Sequence, residues 1–515
     1  MAIVVSHIAS SFDALARQAT RQAPLADIIE LRLDRIGDPG GEALAGLIAE
    51  LKKPVIVALH GSEAFGDFTG DVDERLDILR SAAASGASFV DVDYRISLDL
   101  GEVRGEGKCH RIVSRHETED TPEDLASITE EVRDVLYEGD LIKVVTHATC
   151  CEDGLAMLQF VRETGGGMIG FCSGEAGSFT RVLAPIFGSP FTYASPAEIP
   201  GEPVPEATAP GQVRVNDLRA MYPPGGMSVQ TAIFGVVGNP ARHSWSPRVQ
   251  GMTLKAAKLD AVYVPFEVED FARFTSLVQD DSYRGFSITA PFKGAAFEAS
   301  RSRDGASEAT GATNTWIREQ HGWRGLNTDV GAIGETLEGA FRIHGSTPDR
   351  PVALGAATTL VLGTGGAARA VLQAVREAGG SCIVAGRDAS KAKTLAATFD
   401  ASGIGWDEIP NVDYDTLVHC TPVGSLAQPD ELPLPAEWIR PGTLVLDAVY
   451  RPLKTPLLRE AMAKGCTAVP GGEWFVRQAE AQFRLFTGQE PDRALMRAAF
   501  DHAYQEDRAE KPFAT

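Results

Sequence analysis

The sequence predicts an α/β protein in two parts: an N-terminal (βα)8 TIM barrel, then a two-subdomain region ending in a Rossmann dinucleotide-binding fold. Three observations carry this reading. Up to about residue 220, eight short β-rich apolar runs alternate with longer amphipathic stretches. A Pro/Gly segment, Tyr222-Pro223-Pro224-Gly225-Gly226, then interrupts the rhythm and reads as a linker. Further on, the apolar run Thr359–Leu362 leads directly into Gly363-Thr364-Gly365-Gly366-Ala367-Ala368 and an alanine-rich stretch of helical character.

In order, the barrel strands are expected at Ile3–Val5, Asp27–Leu33, Pro54–His60, Ser88–Tyr94, Arg111–Ser114, Leu141–Thr146, Met168–Cys172 and Phe191–Ala194. Helices are expected between them, for example Asp73–Ala84 and Thr121–Leu136. The domain boundaries follow as 1–221 for the barrel, 222–230 for the linker and 231–340 for a smaller α/β subdomain. Residues 341–475 form the dinucleotide-binding subdomain, 476–515 are closing helices, and Glu506–Thr515 read as a frayed tail.

Composition narrows the function. A net charge of −22 argues against nucleic-acid and anionic-membrane partners, since phosphate neutralisation needs a basic surface. The seven cysteines are scattered, with no metal-ligand spacing, so we expect reduced thiols, no metal site and a cytoplasmic protein. No apolar run approaches the roughly 20 residues of a membrane span. Oligomeric state is left open.

The strand–glycine–helix order suits a pyrophosphate. Gly363 permits the tight turn, Gly365 and Gly366 let the backbone approach the phosphates, and Ala367 and Ala368 start a helix that packs closely. The next strand, Ser381–Ala385, ends in Gly386-Arg387-Asp388, with Lys391 a turn further on. Arg387 and Lys391 in place of a ribose-binding carboxylate favour NADP; Asp388 keeps NAD as the alternative, and Arg387 as a solvated loop residue is the plain reading.

From about Ala232 onward the chain resembles the shikimate dehydrogenase family. Gly238-Asn239-Pro240-Ala241-Arg242-His243-Ser244-Trp245-Ser246-Pro247 is similar to its opening motif, which implies substrate-carboxylate contacts for Ser244 and Ser246; a bare Ser-x-Ser also suits a helix N-cap. Ser287-Ile288-Thr289-Ala290-Pro291-Phe292-Lys293 resembles the segment with the catalytic lysine. The resemblance makes Lys293 that lysine and gives Thr289 and Ser287 substrate contacts, although the family usually carries Asn at 287. Asn314 in Gly311–Thr315 and Asp329 in Gly325–Asp329 then flank the substrate ring. A ketone reduction needs a proton for the developing alkoxide, which a lysine held by a carboxylate can give. His419-Cys420-Thr421-Pro422-Val423-Gly424 resembles the family's Asn-Ala-Thr-Pro-x-Gly turn, placing Thr421 at the nicotinamide. The same resemblance assigns Tyr450 and Gln478 to substrate and Gly471 to cofactor.

The N-terminal half resembles type I dehydroquinate dehydratases. Glu30-Leu31-Arg32-Leu33-Asp34, Ser114-Arg115-His116, Ile142-Lys143-Val144 and Ala209-Pro210-Gly211-Gln212 carry the likeness. It implies a Schiff base at Lys143 and proton transfer by His116. It also implies substrate contacts for Glu30, Arg32, His60, Arg181, Thr208 and Gln212, with threonine at 208 for the family's serine. Read without the family, Lys143 in an apolar run is either functional or a stem snorkelling out at the barrel rim. The main departure is His60-Gly61-Ser62-Glu63-Ala64-Phe65-Gly66: His60 stands where the family has arginine, and Glu63 is one residue out of register.

Together these readings imply dehydration of 3-dehydroquinate followed by NADPH-dependent reduction to shikimate. The rivals are a catabolic quinate- or shikimate-oxidising enzyme, a dehydrogenase carrying an inactive barrel, and a ligand-sensing regulator derived from such domains.

Overall fold

The computed structural model describes residues 2–103, 109–199, 201, 203–344 and 353–510. Residues up to Ile233, together with Leu254–Tyr283, form one compact unit; Phe234–Thr253 and the chain from Arg284 onward form another.

The first unit contains the barrel. Its strands are β1 (Ala2–Ile8), β2 (Ile28–Arg32), β3 (Val55–Ala58), β4 (Phe89–Asp93), β5 (His110–His116), β6 (Leu141–His147), β7 (Met168–Ser173) and β8 (Phe191–Ala194). Neighbours from β1 to β7 pair in parallel in chain order, and β8 pairs in parallel with β1. Parallel partners require crossovers, and the amphipathic stretches supply them as helices. Side chains close the seam between β7 and β8: the rings of Phe171 and Tyr193 lie 5.5 Å apart, in an interior shared with Val4, Ile28, Ile56, Ile112, Val145 and Ile169. All eight expected strands are present, with Phe191–Ala194 unchanged and no end of the others shifted by more than three residues. The helix expected at Thr121–Leu136 is shorter, Leu125–Arg133, because Asp124 caps it by accepting the Ser127 N–H at 2.9 Å. The same unit includes β10 (Ala261–Glu267), preceded along the chain by β9 (Ala232–Gly238). Glu152 Oε1 ties this segment to the barrel, accepting the N–H groups of Glu269 and Asp270 at 3.0 and 2.9 Å.

In the second unit, β11 (Tyr283–Ile288), β12 (Ser302–Arg303), β13 (Thr315–Glu319) and β14 (Gly322–Leu326) make a mixed sheet. β11 and β14 both lie antiparallel to β13, and β12 runs parallel to β14. The dinucleotide-binding sheet comprises β15 (Thr358–Leu362), β16 (Ser381–Gly386), β17 (Ser402–Gly405), β18 (Thr416–His419), β19 (Leu444–Asp447) and β20 (Thr467–Pro470). All are parallel, in the order β17-β16-β15-β18-β19-β20. The order reverses between β15 and β18, and at that switch point the carboxyl ends of the strands open a crevice for a ligand. The chain end differs from the expected frayed tail: the helix Arg493–Glu510 runs through its first half, and 511–515 lie outside the described residues.

Candidate active sites

The barrel site is built around Lys143. It is the third residue of β6 rather than a rim residue, and it is 5% exposed, so its stem does not snorkel out. Its ammonium lies 2.7 Å from Asp91 Oδ2 and 4.6 Å above the Tyr193 ring. Asp91 projects from β4, two strands away, as the alternating layers of such a barrel dictate. Burial opposes its charge, but Lys143, His60 and His116 outweigh that and hold its carboxyl well below the usual range. His116 ends β5 and is driven the other way: burial first, then the charges of Lys143 and His60, keep it neutral well below an ordinary histidine's pKa. His60 and His116 meet edge to face with ring centres 5.2 Å apart, and His60 Nε2 stands 3.8 Å from Asp91 Oδ1. Neither ring nitrogen of His60, nor Nδ1 of His116, has a hydrogen-bond partner among the described residues.

The altered loop explains how His60 is held. Its backbone N–H reaches Asp34 Oδ1 at 3.0 Å, and its carbonyl accepts Phe68 N–H at 3.0 Å. A Cβ on Gly66 would fall 2.0 Å from that carbonyl oxygen, so the loop closes only over glycine. Glu63 is turned away from the cluster, onto Arg75 at 2.9 Å.

Two further groups face the same interior. Arg181, on the helix after β7, is 1% exposed and stacks on Phe171 at 4.3 Å; its Nε lacks a partner among the described residues. Burial pushes its guanidinium down to about 10. Such a desolvated, unpaired cation is a built site for an anion. Opposite in role is the chain Gln212–Thr208–Ser6–Glu30: Gln212 Nε2 donates to Thr208 Oγ1 at 2.9 Å, Thr208 Oγ1 to Ser6 Oγ at 2.8 Å, and Ser6 Oγ to Glu30. Thr208 and Gln212 are thus joined to Glu30 in one network. Arg32 is instead engaged by Asp34, through Nε and Nη2 at 3.1 and 2.5 Å.

In the second unit Lys293 opens the helix Lys293–Ala299, and Asp329 is the second residue of the helix Thr328–His344. Their Nζ and Oδ2 are 2.6 Å apart. Lys293 also reaches the glycine turn, because a Cβ on Gly366 would come within 3.1 Å of its Cδ. Asn314 braces this corner: its Oδ1 accepts Thr328 N–H at 2.8 Å and its Nδ2 donates to Thr328 Oγ1 at 2.9 Å. Ser287 Oγ donates to Gln482 Oε1 at 2.7 Å, and Gln482 Nε2 donates to the Asn314 carbonyl at 3.1 Å. Thr289 continues β11 and receives support from its N–H to the Val237 carbonyl at 2.9 Å. Ser244 Oγ accepts Ser246 N–H at 3.2 Å and donates to Ser246 Oγ at 3.1 Å, so the pair does cap its helix while remaining beside Tyr450. Tyr450 packs between Trp245 and Phe475, at 5.5 and 4.8 Å. Gln478 is half-buried on the helix Gly472–Thr487.

The residues at the switch point fit a dinucleotide. Gly363 adopts φ +120°, which L side chains rarely reach, and a Cβ there would lie 3.2 Å from Thr421 Cγ2. Gly365 precedes the helix Gly366–Ala378, whose free N–H groups suit a pyrophosphate, with Ala367 in its first turn and Ala368 fully buried. Gly471 passes so close to Asp447 and Ala448 that a Cβ would meet both carbonyls at 2.6 Å. Asp388 spends Oδ1 on capping the helix Ala389–Thr398, accepting Ser390 and Lys391 N–H at 3.0 and 3.1 Å. Arg387 and Lys391 are exposed beside it. Lys391 Nζ lies 3.8 Å from Asp388 Oδ2. A carboxylate used as a cap and paired with a lysine is poorly placed to take both ribose hydroxyls, whereas two exposed cations suit a 2′-phosphate.

Sequence reasoning missed Asp91, Ser6, Tyr193, Gln482 and the buried pair His419–Asp447. Asp91 had a signal: an aspartate between valines inside a β-rich run. Gln482 had none, as one polar residue among several on an amphipathic helix.

Fold and sites define a two-activity enzyme: a barrel lyase with a buried lysine in its interior, joined to a nicotinamide-dependent oxidoreductase. The chain is 31% identical over 497 residues to the bifunctional 3-dehydroquinate dehydratase/shikimate dehydrogenase, chloroplastic, of Arabidopsis thaliana, covering 93% of this chain and 81% of that one. It belongs to the family of bifunctional 3-dehydroquinate dehydratase/shikimate dehydrogenases. The family model for type I 3-dehydroquinase matches residues 3–226, that for the shikimate dehydrogenase substrate binding domain 236–316, and that for the shikimate 5'-dehydrogenase C-terminal domain 475–499. The NADP(+) shikimate dehydrogenase of Halobacterium salinarum is 35% identical over 271 residues, 52% of this chain and 97% of that one. Shikimate 5-dehydrogenase from Thermus thermophilus, solved with NADP(H) and shikimate, is 32% identical with a TM-score of 0.47, covering 53% of this chain and 99% of that one. No helix among the described residues is long and apolar enough to cross a membrane.

Proposed function

We propose that the chain dehydrates 3-dehydroquinate at Lys143 and reduces the resulting 3-dehydroshikimate to shikimate at Lys293 and Asp329. The observation that carries the first step is the sealed Lys143–Asp91 pair beside a histidine kept neutral. The Lys143 amine adds to the substrate ketone, and water leaves as the imine forms. His116 takes the proton next to the imine carbon and returns it to the departing hydroxyl, which leaves as water. Hydrolysis then frees Lys143. Asp91 is held ionised, so it steadies the cationic imine instead of acting as the base. Arg181 binds the substrate carboxylate, and Glu30, Arg32, His60, Thr208 and Gln212 surround its hydroxyls.

In the second site NADPH, when bound, supplies the hydride. Lys293, held by Asp329, gives its proton to the developing alkoxide, while Ser244 and Ser246 bind the carboxylate and Thr289, Asn314, Tyr450 and Gln478 orient the ring. Ser287 acts through Gln482. Gly363, Gly365, Gly366, Ala367, Thr421 and Gly471 cradle the dinucleotide, and Arg387 and Lys391 hold its 2′-phosphate.

We assign the dehydratase to residues 1–221, the linker to 222–230 and the dehydrogenase to 231–515, with its subdomains meeting near 340 and 475; the matched spans 3–226 and 236–316 support this. Seven unpaired cysteines favour a cytoplasmic location, which fractionation of the source cells tests. For the activity, enone absorbance should rise when the protein meets 3-dehydroquinate without cofactor, and Lys143→Ala should abolish the rise. No rise in the wild type, with added 3-dehydroshikimate still reduced, would leave the barrel as a scaffold.

A further inference from the structure

Behind the nicotinamide end of the dinucleotide site lies a polar chain that the proposed reaction does not use. β18 and β19 are parallel neighbours that finish in register, His419 opposite Asp447. Both side chains are buried, at 0% and 1% exposure. His419 Nδ1 lies 2.9 Å from Asp447 Oδ1, and His419 Nε2 lies 2.5 Å from Thr421 Oγ1. Asp447 is further supplied by Val449 N–H on Oδ1 at 3.0 Å and by Thr455 Oγ1 on Oδ2 at 2.6 Å. Thr455 in turn caps the helix Pro456–Ala463. A turn resembling that of the dehydrogenases normally carries asparagine where this chain has His419, so the chain is a feature of this sequence.

The partners fix the direction of each hydrogen bond. An ionised carboxylate only accepts, so the ring nitrogen facing Asp447 carries a proton. Two other donors already serve that carboxylate, and a second ring proton is not needed to balance it. His419 Nε2 is then the acceptor, and the one proton of the Thr421 hydroxyl points inward at it. Thr421 is half-buried beside the glycine turn, with its Cγ2 against Gly363. Its oxygen also accepts the Val423 N–H at 3.4 Å, so what it has left for the crevice is a lone pair and no proton. Lone pairs repel phosphate oxygens and recruit a donor. The base of a nicotinamide dinucleotide has one donor group, the carboxamide amine.

Building on the dinucleotide reading above, we propose that Asp447 and His419 are positioning residues that lock the Thr421 hydroxyl as an acceptor for the nicotinamide carboxamide amine. The helix cap at Thr455 anchors the far end, so the acceptor is set before the cofactor arrives.

The test compares NADP+ with its 3-acetylpyridine analogue, in which a methyl group replaces that amine and the carbonyl is retained. Both dissociation constants are measured by titration calorimetry on the full chain, without substrate. The wild type should bind NADP+ about tenfold more tightly than the analogue, the worth of one well-placed hydrogen bond. Thr421→Val, close in shape, should bring the ratio to about one, mainly by weakening NADP+. His419→Asn should reduce the ratio while circular dichroism confirms the fold, because the freed hydroxyl can turn its proton outward. A merely structural role for His419 would weaken both ligands alike and leave the ratio unchanged, which overturns the proposal. So does a wild-type ratio of about one, or a ratio that persists in Thr421→Val, as a contact from a ribose hydroxyl would give. Failure of the wild type to bind either ligand would instead overturn the dinucleotide reading, and this inference with it.

Discussion

The two halves carry the same pair of side chains, to which the proposed function gives opposite purposes. Lys143–Asp91 in the barrel and Lys293–Asp329 in the dehydrogenase have nearly equal separations, 2.7 and 2.6 Å. Their surroundings differ. The barrel pair is almost fully enclosed, with side chains 6% and 0% exposed, and Asp91 Oδ1 lacks a hydrogen-bond partner among the described residues. The dehydrogenase pair is 18% and 8% exposed and sits at two helix starts, where the dipole of the helix Thr328–His344 favours the charge on Asp329. In the proposed function Lys143 must shed its proton within reach of a base, and His116, kept neutral by burial, is the base assigned to it. In the same proposal Lys293 must keep its proton until the alkoxide forms, and a dipole-supported carboxylate helps it do so. The residue pair alone therefore does not specify the chemistry; its enclosure does.

Replacing each lysine by methionine breaks this comparison most forcefully. Lys143→Met should abolish dehydration and destabilise the barrel by about 3–5 kcal/mol, because Asp91 is left charged and dry. Lys293→Met should lower kcat for 3-dehydroshikimate reduction by about 10²–10⁴-fold, with KM little changed. Its stability cost should be smaller, about 1–2 kcal/mol, since the dipole of the helix Thr328–His344 still favours the charge on Asp329. Steady-state kinetics and urea unfolding of both variants check this. Equal stability losses would show that enclosure does not separate the pairs.

The fold was largely legible because periodicity reports it: every expected barrel strand and the strand–glycine–helix turn are present. Lys143 stood out for the same reason, as a lysine inside an apolar strand, whereas His116 was singled out only through the family resemblance. Other roles depend on pairings that no local pattern carries. Arg32 is committed to Asp34, which only the third dimension reveals. Ser287 and Gln482 bond across 195 positions, and Asp91 meets Lys143 across 52. His60 could be placed at an unusual position but not oriented, because its loop closes through backbone contacts at Gly66.

Arg181 sharpens the comparison at a smaller scale. It is a buried cation without a carboxylate partner among the described residues, whereas the two lysines have theirs. If it waits for the substrate carboxylate, Arg181→Met should raise KM for 3-dehydroquinate by about 10–150-fold, the loss of charge-assisted hydrogen bonds. Thermal stability should hold or rise, since an unpaired buried charge is removed. A drop in melting temperature of the kind seen with Lys143→Met would instead assign Arg181 a structural role.

The smallest expected effect concerns acid. Burial pushes His7 down to about 4, opposed by Gln18, and holds His116 well below its usual value, with Lys143 and His60 adding to the shift. In the unfolded chain both titrate near 6.5, so below that pH the unfolded state binds protons that the native barrel does not. Stability contributed by these groups is therefore complete above about pH 6.5 and lost as pH falls, by about 1.4 kcal/mol per pH unit for each histidine. For His7 the loss ends near its folded value of about 4. Asp91 acts in the same direction only lower down, because its depressed carboxyl gives stability that is lost below the unfolded value near 3.9. His7→Met removes one of the two histidines without touching the catalytic cluster. Calorimetric scans of the barrel transition at about pH 7 and pH 5 should show the variant losing roughly half as much stability as the wild type. An unchanged loss would mean that His7 takes up its proton without unfolding, and that His116 and its neighbours alone make the lyase half acid-sensitive.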